Sequence, residues 1–485
     1  MTPARIICNA LVGLLVLSAS TSAFAEDAET GDASADDAIG KLPEEQQKSV
    51  QQAIEDAEAS EGTTVIVVPP PAPTMREYDP ASETDQEAEA EERVPGVTLH
   101  PKGEDEMMGD HIVDRGDIKF RPGKGVEINS ADDDFQLRIR LRVQMLYTLV
   151  HGDPGPKEAD EPNENLNDFR LRRARFVFQG HAFGEHNQFK LEMDPLRRDN
   201  VVLDYYLDFT KNRDIQVRVG QYKISSNRQR VISSGNLQMV DRSRINAEFS
   251  LDRDMGIDIR SRDFLGKNKM RYVLGVSTGN GLNNPEFTDF AMVYLARVEY
   301  LPMGIFRDYS EVDFARTKPR LSIGATYSFF DNANRDRGMI GLPFSDGGTA
   351  DYHFVYVDAM FKARGFSAIT EFAFRTGTRK IGDITMDPDG NPIVPTDPRN
   401  GLGWMLQAGY LVPNTGFEFA ARGALIQANS KRSATSLEDS YATTFSLSYY
   451  FARHPFKIQA DVSQIWEDRF NEGATTFRLQ LQASL

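Results

Sequence analysis

FQLRIRLRVQMLYTLV, residues 135–150, is the stretch whose reading decides the fold. Phe135, Leu137, Ile139, Leu141, Val143, Met145, Tyr147 and Leu149 recur at period two, with Gln136, Arg138, Arg140, Arg142 and Gln144 between them. Period two puts each set on one face of a strand. The alternation runs for 16 residues, where an ordinary strand runs about 5–6. Three arginines in one row, backed by an unbroken apolar row, call for different solvents on the two faces. A barrel wall between lipid and a water-filled lumen supplies both.

The same alternation recurs along the chain. Phe176 and Phe178 alternate with Arg175, Val177 and Gln179, and Leu203, Tyr205, Leu207 and Phe209 alternate with Asp204, Tyr206 and Asp208. Further segments follow to residues 456–466 and 475–485, about 16 in all. An even number is what a single-chain bacterial barrel requires. The sequence thus predicts an all-β fold: a transmembrane antiparallel β-barrel of about 16 strands over residues 119–485.

Connection lengths give an independent check, since such barrels alternate long outer loops with short inner turns. Residues 151–167 and 224–252 are long connections, whereas 184–187, 211–214 and 453–455 are short. With a periplasmic N-terminus the long ones all face outward. One connection breaks the series: 301–319 falls at an inner position and is long.

Ahead of the barrel the composition changes. Arg5, the apolar run 6–17 and Ala23-Phe24-Ala25 make residues 1–25 a secretory signal. The chain's one cysteine, Cys8, lies inside it, so the mature chain is expected to form no disulfide and no thiolate site. Residues 26–134 hold 30 acidic and 9 basic side chains, against 42 and 45 over 135–485. An acidic, mostly disordered tail over 26–118, on the periplasmic side, is therefore joined to a slightly basic body. The tail reads either as a solvated arm or as one that holds a periplasmic partner.

Enzymatic signatures are not recognisable. The 7 histidines show no metal-ligand spacing, and no cofactor or nucleic-acid motif is present. Gly275-Val276-Ser277-Thr278-Gly279 matches a nucleophile-elbow pattern, but no helix follows it as that motif needs.

What stands out is arginine on lumen-facing parity. Arg138, Arg140 and Arg142 come from the first strand, Arg173 and Arg175 from the second, and Arg218 from the fifth. Lys223 follows, and the long connection adds Arg228, Arg230, Arg242 and Arg244. Guanidinium rows in a narrow pore concentrate anions and replace part of their hydration. The competing reading pairs these arginines with lumen carboxylates such as Glu192, Asp194, Asp204 and Asp208. Arg170 and Arg172 fall on mixed parity near the outer rim, where lipopolysaccharide phosphates are the expected contact. Connection 224–252 either folds inward to narrow the pore or lies exposed.

Several short motifs then line up. Gly125-Val126-Glu127-Ile128-Asn129-Ser130, Leu171-Arg172-Arg173-Ala174-Arg175, Val219-Gly220-Gln221-Tyr222-Lys223, and Val240-Asp241-Arg242-Ser243 with Arg253-Asp254-Met255-Gly256 occur in order. In that order and spacing the chain resembles the phosphate-selective porin O and P family. The resemblance implies a sixteen-stranded outer-membrane barrel, trimeric, with an inward constriction loop and passage of small anionic solutes such as phosphate. After Lys223 the chain has Ile224-Ser225-Ser226 where that family usually carries proline. A general or carbohydrate porin with paired lumen charges, and an envelope anchor acting through the acidic tail, are the alternatives.

Overall fold

The computed structural model describes residues 117–121, 123–153, 165–198, 200–284, 291–388, 390–429, 437–467 and 472–485. The signal segment and nearly all of the acidic tail lie outside them.

Two short strands come first, β1 (Ile118–Arg121) and β2 (Gly125–Asn129). Then follow β3 (Gln136–Asp153), β4 (Asn165–His181), β5 (Asn187–Met193), β6 (Val202–Phe209) and β7 (Gln216–Lys223). Next are β8 (Arg253–Ser261), β9 (Met270–Ser277), β10 (Met292–Tyr300), β11 (Arg320–Ala333), β12 (Thr349–Ala363) and β13 (Phe366–Lys380). The series ends with β14 (Gly401–Leu411), β15 (Phe417–Ala428), β16 (Ser440–Ala452), β17 (Phe456–Glu467) and β18 (Glu472–Ser484).

From β3 onward each strand pairs antiparallel with the next, and β18 returns to β3, Gly473 opposite Asp153 and Ser484 opposite Arg142. These 16 strands close on themselves. Closure leaves no edge with unpaired backbone groups, which is the condition for a sheet to sit in hydrocarbon. The 16 alternating segments read from the sequence each fall on one barrel strand. Where β18 runs out, β2 takes over its place beside β3, Val126 opposite Ile139 and Asn129 opposite Gln136.

Large apolar side chains stand exposed on the outside, among them Met145, Leu207, Ile257, Val298, Leu406 and Phe445. Among the described residues no helix is long and apolar enough to cross a membrane. The crossing face is the outside of the sheet.

Connection 224–252 turns inward. It carries two short helices, α1 (Arg228–Val231) and α2 (Arg244–Phe249), the second capped by the Ser243 hydroxyl accepting from the Asn246 N–H. Ile224, Ile232, Leu237, Ile245, Phe249 and Leu251 pack with inward residues of β10–β15 such as Phe354, Tyr356 and Met405 into an apolar core inside the barrel. Of the two sequence readings for this connection, the inward one holds, and we call it the arm.

The long connection 301–319 is also explained. It joins β10 to β11, at the barrel end opposite the arm's, and it too enters the lumen. Its Asp308, Glu311 and Asp313 are buried, and the Glu311 N–H donates to the Asn236 carbonyl of the arm at 3.1 Å. We call it the insert.

Candidate functional site: a basic cavity beside the arm

The arm leans on one half of the barrel and leaves the other half open. Between it and the wall of β4–β8 lies a cavity of about 250 Å³. Arg172, Arg173 and Arg175 line it from β4, Lys223 and Arg253 from the two ends of the arm, and Arg230 and Arg242 from the arm itself. Asp194, Leu196 and Arg197 complete the lining from the connection after β5.

A β-bulge makes β4 so basic on one side. Gln144 of β3 faces Arg173, but the next residue, Met145, faces Leu171, so Arg172 is the extra residue. Bulges re-aim side chains. Here two consecutive arginines reach the lumen, where strict alternation would send one outward. The expectation for Arg172 at the outer rim is thereby corrected: it pairs with Asp241 of the arm, inside the barrel. Arg170 does stay exposed, paired with Asp168 at 3.1 Å.

Eight cations line the cavity. Five carboxylates balance part of that charge. Arg175 reaches Glu192 at 2.6 Å and Asp194 at 3.5 Å, and Arg253 reaches Asp204 at 2.5 Å. Arg172 pairs with Asp241, and Arg230 with Asp252. Arg173, Lys223 and Arg242 instead donate to neutral oxygens. Arg173 donates to the Gln144 side chain at 2.8 Å and Lys223 to the Val231 carbonyl at 3.3 Å. Arg242 donates to the carbonyls of Gln229 and Ile232.

Crowding shows in the electrostatics of the arm. Burial and the neighbouring Arg175 guanidinium push Arg242 down to about 10. Burial, then Arg242 and Arg253, lower Arg230 well below its ordinary value. Burial alone would raise the Asp241 carboxyl, but Arg172 and Arg478 outweigh it and hold it below the usual range. Cations whose charged forms are mutually disfavoured are relieved by an anion entering among them.

A second, smaller cavity of about 20 Å³, room for one water, lies toward the opposite end. Arg140 and Arg142 line it with Gly235, Asn236, His454 and Gln482. Arg142 stands opposite Arg175 across the β3–β4 ladder, so it lies between the two cavities. Its guanidinium donates to the hydroxyls of Ser233 at 3.0 Å and Ser234 at 3.3 Å on the arm. Gly235 leaves room for this guanidinium: a Cβ there would meet Arg142 Nη1 at 2.3 Å and displace it.

The other anticipated residues divide cleanly. Arg173, Arg175, Lys223, Arg230 and Arg242 line the large cavity, and Arg140 and Arg142 the small one. Arg138 is bound to Glu127 of β2 at 2.7 Å. Arg218 is clamped by both oxygens of Asp208 at 2.6 Å, with Tyr206 stacked 3.9 Å from its guanidinium. Arg228 is fully buried among Asp308, Asp358 and Glu299 at 2.6, 2.7 and 3.3 Å. Arg244, on α2, lies outside both linings. For Arg218 and Arg228 the pairing reading holds: each guanidinium is almost inaccessible and its charge is met by carboxylates. Arg172, Arg197 and Arg253 were not anticipated as lining. The Arg172-Arg173 doublet inside an alternating strand was the available signal for the bulge.

A closed barrel of 16 strands, with an apolar exterior, an inward arm and a charged interior, has the architecture of outer-membrane porins. The model of the family phosphate-selective porin O and P matches residues 144–305, which carry β4–β10, the arm and most of the basic lining. The resemblance seen in the motifs is thus found again over this segment. No curated protein matches the sequence. Among solved structures the chain is similar to an anion-selective porin from Comamonas acidovorans, at 11% identity over 72% of this chain and 99% of that one, TM-score 0.46. It is also similar to OprB of Pseudomonas putida, at 11% identity over 72% and 94%, TM-score 0.44. OmpT of Vibrio cholerae follows at 12% identity over 73% and 98%, TM-score 0.43. The fold rests on this chain's own strand pairing.

Proposed function

We propose that the protein is an outer-membrane porin through which small anionic solutes, phosphate among them, diffuse along the arginine-lined side of the lumen. One observation carries the reading: the large cavity is faced by eight cations, of which Arg173, Lys223 and Arg242 give their hydrogen bonds to neutral oxygens. Guanidinium binds phosphate and carboxylate through its planar fork and stays charged at any working pH. Arg142 and Arg140 extend the positive charge of the wall beyond the large cavity, around a space with room for one water. In this reading the barrel sits in outer-membrane lipid with lipopolysaccharide around it, assembles as a homotrimer, and keeps its acidic tail in the periplasm.

The test is single-channel recording in planar bilayers. The unmodified protein should give a reversal potential set by the anion, and phosphate should compete with chloride for the path. Arg173→Gln combined with Arg242→Gln should bring the reversal potential toward the neutral value. A cation-selective channel would refute the proposal.

The alternative of a carbohydrate or general porin keeps one specific support, the fully paired arginines at Arg218 and Arg228. It predicts passage of neutral sugars and little change on removing Arg173 and Arg242.

A further inference from the structure

The insert 301–319 breaks the rule that inner connections are short, and its contacts show what its length achieves. Arm and insert join the barrel at opposite ends, since β7–β8 and β10–β11 are turned three hairpins apart. They nevertheless meet in the lumen. Asn236 and Gln238 of the arm both engage Glu311. The Asn236 carbonyl accepts from the Glu311 N–H, and the Gln238 N–H donates to Glu311 Oε2 at 2.8 Å. Farther along, Asp308 binds Arg228 of the arm at 2.6 Å.

The insert is itself fastened to the wall. Asp308 also bonds Arg271 of β9, Gln407 of β14 donates to Glu311 at 2.8 Å, and Lys362 of β12 donates to the Val312 carbonyl at 3.0 Å. Its contacts to the arm therefore transmit the position of the wall. On the cavity side the arm's tip has weaker support. Ser233, Ser234 and Gly235 meet β3 and β18 through neutral acceptors only, in the bonds from Arg142, Gln144 and Gln482.

We propose that the insert is a buttress: it holds the arm from the opposite end of the barrel and so fixes how wide the arginine-lined path is. Asp308 and Glu311 are its positioning residues. No residue of the insert lines either cavity, and it reaches the small one only through Asn236 and His454, so it needs no contact with the solute. The arm's position then depends on two connections that are 48 residues apart in sequence (252 to 301 exclusive of both) and enter from opposite ends. This inference rests on the channel reading above.

The experiment compares the full chain with two variants in planar bilayers: Glu311→Gln with Asp308→Asn, and replacement of residues 305–316 by a short Gly-Ser turn. Barrel formation is checked first, by circular dichroism and by the heat-modifiable migration of intact barrels in detergent gels. A folded variant with the insert replaced should conduct several-fold more, with noisier open levels and closures at lower voltage. The double variant should shift the same way by less. A folded insert-replaced barrel with the conductance and noise of the unmodified protein would overturn the buttress and leave the channel reading standing. No current from any form, the unmodified chain included, would overturn the channel reading itself. If replacement prevents folding, the double variant decides: folded and unchanged in conductance and noise, it too overturns the buttress.

Discussion

The two halves of this barrel obey the same alternation and make opposite use of it. Along β3–β8 the inward side chains are mostly charged or amide-bearing, with Leu146, Val177, Tyr206 and Tyr222 among them, and the large cavity lies against this wall. Along β10–β15 the inward row includes Val293, Phe330, Tyr352, Phe354, Met360 and Ile369, all buried in the apolar cluster that takes in the arm. Charges occur on that second half also; several form ion pairs, while Lys362, Glu371, Glu418 and Arg422 bond to neutral groups. Arg228 and Arg297 share Asp358 and Glu299, and Arg375 reaches Glu248 of α2 at 2.6 Å. The difference teaches that a barrel lumen is not one solvent. Where the arm rests, the interior is a protein core whose buried charges are tied into ion pairs or hydrogen bonds. Where the arm stands away, cations remain in excess.

The strongest way to break that comparison is to unbalance the packed half. Arg228→Ala leaves Asp308, Asp358 and Glu299 buried around a missing cation. Removing one partner of a buried pair costs on the order of 3–5 kcal/mol. The expected outcome is a lower urea midpoint for the detergent-solubilised barrel, with a mobile arm seen as noisier current. Phe249→Ala should weaken the same packing by a comparable amount, about 3–5 kcal/mol for a buried phenylalanine. Phe249 is nearly inaccessible and sits under the Arg375 guanidinium at 4.9 Å. Unchanged midpoints in both would mean the arm is not held by this half.

The open half should respond in the other currency. Arg173→Gln removes a cation whose bond is to an amide oxygen, so no buried carboxylate is orphaned. Stability should move by less than about 1 kcal/mol. Selectivity should change instead: one charge near a passing anion is worth about 1 kcal/mol in watery surroundings, roughly a fivefold factor. Reversal potentials and urea midpoints measured on the same preparation give both numbers. A variant that loses stability and keeps its ion preference would move Arg173 to the packed class.

How much of this was legible in the sequence follows from what each feature depends on. The barrel was legible because side-chain alternation is local and repeats in every strand, as Gln136–Asp153 illustrates. Arg173, Arg175 and Lys223 were legible because parity assigns a face. Parity failed at Arg172, where one extra residue shifts the register and redirects the side chain. It also could not separate Arg218 and Arg228 from the cavity cations. All lie on the lumen side or the arm, and only the three-dimensional partner tells a bound guanidinium from one left in excess. The insert was visible as an anomaly of length. Its role depends on Glu311 meeting Asn236 and Gln238, which no local pattern encodes.

The smallest expected effect gives the sharpest control. Arg218 projects from β7 on the open half, on the parity that first singled it out, yet Asp208 holds its Nε and Nη2 at 2.6 Å. If lumen position alone set selectivity, removing this arginine would matter as much as removing Arg173. If unbalanced charge sets it, removing the pair together should not. Arg218→Gln with Asp208→Asn puts an amide opposite an amide and takes away one charge of each sign. Replacing both partners of a buried pair is often close to neutral in stability, so the urea midpoint should move little. Reversal potential should stay within error of the unmodified protein. A drop in anion preference matching that of Arg173→Gln would show that the wall, and not the excess of cations beside the arm, does the selecting.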